Sequence, residues 1–263
     1  MKSRSNTAIF SCQRWARPVS RACALLTAVS LAGLLGCDQK TPGAEGYAYR
    51  QQTATDSTAT GRIYFGREIA AATPHLGGAE WLDWPTRENT ELPDRLVGNM
   101  DLRPSDVVAD IGAGSGYLTF RIAERVPSGR VIAVDIQQEM LDEIEARRDS
   151  LAIRNVETVL GSDRSPNLAN ESVDVAIMVA AYHEFYYPWE MMKGILGALR
   201  PGGKVVLVEY RGEDPTIDVS LHHRLTEAQA RKEMEAVGLV YRYSRDILPQ
   251  QHFMVFEKPF RGS

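Results

Sequence analysis

The stretch Val107–Phe120, VVADIGAGSGYLTF, constrains the fold more than any other part of this 263-residue chain. Val107, Val108 and Ala109 form a short apolar run suited to a buried strand, which ends on a carboxylate, Asp110. A turn with glycines at 112, 114 and 116 follows, then an amphipathic stretch, Tyr117–Arg125, that predicts a helix. Strand, glycine loop and helix in that order build nucleotide sites at the carboxyl edge of parallel sheets. Glycine lets backbone approach a ligand closely, and a helix start presents unpaired N–H groups.

Charge and spacing narrow the ligand. A dinucleotide loop places its third glycine five residues after the first, to seat a pyrophosphate on the helix N-terminus. Here Tyr117 holds that place, and Gly116 comes only four after Gly112. Asp110, two residues before the loop, would repel phosphate. A ligand with a cationic amino-acid end and no phosphate would welcome it, and S-adenosylmethionine is such a ligand. The stretch resembles the first motif of the class I S-adenosylmethionine-dependent methyltransferases. On that resemblance Asp110, Gly112, Ala113, Gly114 and Gly116 bind the donor.

Arg130–Asp135 (RVIAVD) predicts a second strand ending in an acid. Asp135 lies 19 residues beyond Gly116, close to the separation at which a carboxylate meets ribose hydroxyls in such sites. Ile136 and Gln137 would flank the adenosine. A helix over Glu139–Ser150 and a third strand, Val156–Leu160, lead to Gly161-Ser162-Asp163. The resemblance assigns Asp163 to the adenine amine. Ser172–Ala181 is apolar on both faces, as a central parallel strand is. It runs into Tyr182-His183-Glu184. The N-methylating branch carries Asn/Asp-Pro-Pro-Tyr here, where this chain has Ala180-Ala181-Tyr182-His183, which argues against an amide or base nitrogen as acceptor.

A helix over Trp189–Leu199, a turn at Arg200-Pro201-Gly202-Gly203 and a strand Lys204–Tyr210 come next. LRPGGKVVLVEY is close to the family's signature after the fourth strand. A helix over Thr226–Val237, capped by Thr226 and ended by Gly238, precedes strands at Leu239–Ser244 and Phe253–Lys258. The resemblance implies an α/β fold over residues 101–260: a doubly wound, seven-stranded, mostly parallel sheet with one antiparallel strand and helices on both faces. Residues 61–100, with Tyr64, Phe65, Trp81 and Trp84, are expected to be partly helical and to form an entrance or lid segment.

The N-terminal part reads separately. Residues 1–36 carry five basic residues (Lys2, Arg4, Arg14, Arg17, Arg21) and no acid. The apolar run Ala22–Gly36 is too short for a comfortable bilayer span but suits a signal-peptide core. Leu34-Leu35-Gly36-Cys37 resembles a bacterial lipoprotein box, with Cys37 lipidated after cleavage and Asp38 resembling an inner-membrane retention signal. The expected address is the periplasmic face of the inner membrane, or the cytoplasm if the leader is not processed. Residues 37–60 lack periodicity and predict a flexible tether.

Cleavage would leave Cys37 as the remaining cysteine of three, so neither a disulfide nor a thiolate metal site is expected. It would also take the basic residues from 30 to 25 against 34 acidic ones, a net charge of −9 rather than −4. An acidic domain argues against nucleic acid as a partner. The expected acceptor is a small molecule or lipid-like, and the composition says nothing of oligomeric state.

Methyl transfer from a sulfonium releases a neutral thioether, so positioning, desolvation and removal of one acceptor proton carry the rate. His183, Glu184 and Tyr182 are the candidate catalytic residues, with Glu209 a further base. Imidazole has the ordinary pKa nearest neutrality, which favours His183; ordering the loop or bonding to cofactor is its other reading. Tyr182 would stack near adenosine or line the acceptor pocket. His222 and His223 are adjacent, so their side chains diverge and no metal is expected, even with Glu209 and Asp218 nearby. Two other functions stay open: a non-catalytic S-adenosylmethionine or adenosine sensor, prompted by the extracytoplasmic leader, and an NAD-dependent oxidoreductase, opposed by Tyr117 and Asp110.

Overall fold

The computed structural model describes residues 49–72 and 87–260. The leader, Cys37, Asp38, the start of the tether, Trp81 and Trp84 lie outside the described residues. Three strands, Arg50–Gln51 (β1), Ala59–Tyr64 (β2) and Arg67–Ala70 (β3), form an antiparallel sheet in the order β1-β2-β3. The tether expected over 37–60 is therefore folded from Tyr49 onward, and the segment after it begins as a hairpin rather than a helix. Phe65 and Gly66 make the hairpin turn, both with positive φ, between the paired residues Tyr64 and Arg67. Two such residues give the turn whose twist matches that of the flanking strands. Arg87–Thr90 (α1) and Pro93–Gly98 (α2) are the helical part.

Val107–Ile111 (β4), Thr119–Arg125 (α3), Arg130–Asp135 (β5), Gln138–Ser150 (α4), Val156–Leu160 (β6) and Val173–Val179 (β7) follow. Pro188–Ala198 (α5), Leu199–Tyr210 (β8), Glu227–Val237 (α6), Val240–Arg245 (β9) and Gln251–Glu257 (β10) complete the chain. The sheet order is β6-β5-β4-β7-β8-β10-β9, with β10 antiparallel to both neighbours and the other pairs parallel. This is the expected doubly wound α/β sheet with one reversed strand.

Period-two alternation divides the core between the two faces. Val107, Ala109 and Ile111 pack on one face with Trp189, Met192 and Ile195 of α5 and Met234 of α6. Val108, Val131 and Ala133 pack on the other with Leu96, Phe120 and Ile144. Asp110 shares the second face with Val108 but sits at the strand's carboxyl end. Sheet order reverses at β4, between β5 and β7, and this switch point is where open α/β sheets bind ligands.

Two details differ from the sequence reading. Helix α3 starts at Thr119, not Tyr117, so the glycine turn is longer. The expected turn at 200–203 is an irregularity inside β8: Val173 pairs with Leu199, yet Val175 pairs with Lys204. The extra residues are accommodated at Gly202, whose φ is +76°. Among the described residues no helix is long and apolar enough to cross a membrane.

Candidate active site

A crevice of about 610 Å³ opens at the carboxyl ends of β4, β5 and β7. Its floor is the glycine turn. Gly112 (φ +75°) has its absent Cβ position 2.9 Å from Ala181 Cβ, so a side chain there would drive this turn into the one carrying His183. Asp135 locks the turn from the neighbouring strand. Its Oδ2 accepts from the Gly114 N–H and its Oδ1 from the Gln137 N–H, both at 2.9 Å. Each oxygen keeps lone-pair capacity for a ligand.

Asp110, Gly112, Ala113, Gly114, Asp135, Ile136, Gln137, Asp163, His183 and Glu184 all line the crevice. Two candidates do not. Gly116 (φ +79°) has Ile144 and Phe120 against its Cβ position, so it serves the packing of α3 on α4. Tyr182 is fully buried, and its hydroxyl donates to Glu233 Oε2 at 2.6 Å. It neither stacks on a nucleoside nor lines an acceptor pocket. Glu233 also takes Arg67 Nε at 2.7 Å and Gln229 Nε2 at 2.6 Å, and Arg67 Nη1 donates to the His183 carbonyl at 3.2 Å. The Arg67–Glu233 pair thus ties the hairpin to α6, and the bond to the His183 carbonyl ties it to the turn that follows β7.

The sequence did not show that the hairpin itself forms a wall, with Thr58, Thr60 and Ala70 facing the crevice. Nor did it show what surrounds His183. Residues Tyr182–Glu184 form a single 3-10 turn. Glu209, fully buried on β8, accepts from the Tyr182 N–H at 2.9 Å and holds His183 Nδ1 2.6 Å from its other oxygen. A proton on Nδ1 satisfies that carboxylate and leaves a lone pair on Nε2. Nε2 lies 3.1 Å from His223 Nδ1. His222 instead places Nε2 3.6 Å from Asp56, so the adjacent histidines diverge as expected, but one of them joins the site.

The crevice is acidic. Arg87 is the one lysine or arginine among its described lining residues, and its Nε and Nη2 pair with both oxygens of Glu91, at 3.0 and 2.7 Å. Asp110, Asp135, Asp163 and Glu184 line the same cavity. Burial pushes the Asp110 carboxyl up to about 6, opposed by a hydrogen bond from Thr119 and assisted by the charge of Asp135. Tyr117 stands where a third dinucleotide glycine would, with its hydroxyl 2.7 Å from Glu88.

Known proteins resemble this chain over part of its sequence and in its fold. Residues 108–203 match the methyltransferase domain family. A SAM dependent methyltransferase from Aquifex aeolicus superposes with a TM-score of 0.64, at 20% identity, over 68% of this chain and 95% of that one.

The fold is that of the class I methyltransferases.

An uncharacterized methyltransferase-like protein of Schizosaccharomyces pombe is 34% identical over 126 residues, 48% of this chain and 46% of its own length. A demethylmenaquinone methyltransferase of Lactococcus lactis is 28% identical over 135 residues, 51% of this chain and 52% of its own. The chain spans less than half the length of the first curated relatives it matches, from 35% to 46%. The matched methyltransferase stretch runs from β4 into β8, so it holds Asp110, Asp135, Asp163 and His183 but neither Glu209 nor His223.

Proposed function

We propose that this protein is an S-adenosylmethionine-dependent methyltransferase acting on a small or lipid-like acceptor. The observation that carries the reading is the sign of the crevice: carboxylates at the ends of adjacent strands, and the one arginine among its described lining residues paired with Glu91. That lining attracts a sulfonium and an ammonium and repels a diphosphate. It favours a methyl donor over a dinucleotide on the same sheet.

When bound, S-adenosylmethionine supplies a methyl group already activated by its sulfonium. Asp135, fixed by two backbone N–H groups, offers acceptors to ribose hydroxyls. Asp163 serves the adenine amine, Ile136 covers the ring and Asp110 faces the cationic end. On the acceptor side, His183 Nε2 is the group positioned to take a proton, with Glu209 stabilising the imidazolium that forms. The hairpin closes the crevice beside it and limits water.

Tethering through a lipid on Cys37 belongs to the same reading and is supported by the leader sequence. Mass spectrometry of the mature N-terminus tests it. Enzymatic function is tested by transfer of a labelled methyl group to a component of lipid or small-molecule extract. Donor binding without transfer to any component would favour a sensor.

A further inference from the structure

The acceptor side of the crevice brings together three groups from two separate parts of the chain. His183 and Glu184 follow β7, and His223 ends a 3-10 turn, Leu221–His223, between β8 and α6. One ligand atom from each residue lies within 4.8 Å of the others. His183 Nε2 is 3.1 Å from His223 Nδ1, and the two rings cross at 71°. Glu184 Oε1 is 3.4 Å from His223 Nδ1 and 3.9 Å from His183 Nε2. All three residues line the cavity.

These distances suit a shared ion. Two imidazole nitrogens on one zinc-sized ion stand about 3.0 Å apart at a right angle and about 3.3 Å apart at the tetrahedral angle. The observed separation falls between those limits, and Glu184 reaches the same point by closing less than about 1 Å. The nitrogen of His183 on the far side of its ring meets Glu209, a fully buried carboxylate that is itself fixed by the Tyr182 N–H. A carboxylate behind a ligating histidine sets its tautomer and ring orientation and raises its basicity.

We propose that His183 Nε2, His223 Nδ1 and Glu184 Oε1 form a binding site for a divalent first-row transition-metal ion, with Glu209 as its positioning residue. Two imidazoles and one carboxylate suit Zn²⁺, Co²⁺ or Fe²⁺ and not the all-oxygen sets of Mg²⁺ and Ca²⁺. Three protein ligands leave positions open, and those face the cavity. The class of acceptor that such an ion orients is a hydroxyl or thiol compound. Bound to the ion, the acceptor loses its proton to solvent more easily; its lone pair then attacks the methyl carbon, and the carbon–sulfur bonding pair stays on the thioether. The ion would relieve His183 of the proton. Metal binding itself is read without donor or acceptor, so it stands or falls apart from the methyl-transfer reading.

The experiment is calorimetric titration of the untagged, chelator-treated chain with Zn²⁺, alongside the visible spectrum with Co²⁺. Wild type is expected to take up one ion per chain, with a cobalt d–d band and no thiolate charge-transfer band. His223→Ala and Glu184→Gln, both at partly exposed positions, are expected to bind at least about tenfold more weakly at an unchanged unfolding midpoint. His222→Ala, which removes the neighbouring imidazole, is expected to bind as wild type. Absence of stoichiometric binding, a thiolate band, or wild-type affinity in His223→Ala would overturn the proposal. Methyl transfer that persists without metal would leave the reading of function intact while removing the ion's role in it.

Discussion

Thr119 Oγ1 donates a 2.7 Å hydrogen bond to Asp110 Oδ2 at the floor of the crevice. This bond holds down a carboxyl that burial pushes up to about 6 from an ordinary 3.8, and Asp135 adds to the push. Between those two values the folded chain binds more protons than the unfolded one. The contribution of Asp110 to stability therefore falls as pH rises through that window. A cationic ligand reverses the preference, because it favours the ionised form. Affinity for S-adenosylmethionine is expected to fall about tenfold between pH 7 and pH 5, and Asp110→Asn to remove most of that dependence. A flat wild-type profile would contradict the role given to Asp110.

The Arg67–Glu233 pair carries a stability prediction. Both oxygens of Glu233 are engaged, by Arg67, Gln229 and the Tyr182 hydroxyl, and its side chain is fully buried. Glu233→Ala leaves a guanidinium and a phenol facing a void. The expected loss is about 3–5 kcal/mol in urea unfolding. A loss under about 1 kcal/mol would show that the hairpin is held by its aromatic contacts instead.

Gly112 ties the donor turn to the turn that carries His183. With φ at +75° and Ala181 Cβ 2.9 Å from the Cβ position, Gly112→Ala meets both backbone strain and a close contact. Strain alone costs about 1–2 kcal/mol, and the contact is expected to push residues 181–183 away from the donor turn. Equilibrium unfolding and donor affinity should both worsen. Wild-type values for both would contradict that coupling.

Local chemistry was legible in the sequence, and pairing across long separations was not. Arg130–Asp135 and Val156–Leu160 are strands at the expected bounds because apolar runs between turn residues mark buried parallel strands. Thr226 caps α6 by accepting from the Gln229 N–H, and Gly238 ends it in the left-handed region. The hairpin is not legible in the sequence because Phe65-Gly66 lacks the Asn-Gly or Asp-Gly signature of a two-residue turn and its short strands mix polar and apolar residues. The burial of Tyr182 away from the pocket is not legible either, because nothing near it in sequence announces Glu233, 51 residues on. The pairing of His183 with Glu209 and His223 likewise arises from neighbouring elements of the fold, not from spacing along the chain.

The acidic crevice is expected to select a methyl donor over a dinucleotide, and titration calorimetry of the purified chain measures that choice directly. S-adenosylmethionine or its demethylated product is expected to bind one to one, NADH to give no saturable heat, and Asp135→Ala to weaken donor binding at least about tenfold. Saturable NADH binding with no response to S-adenosylmethionine, or unchanged donor affinity in Asp135→Ala, would contradict it.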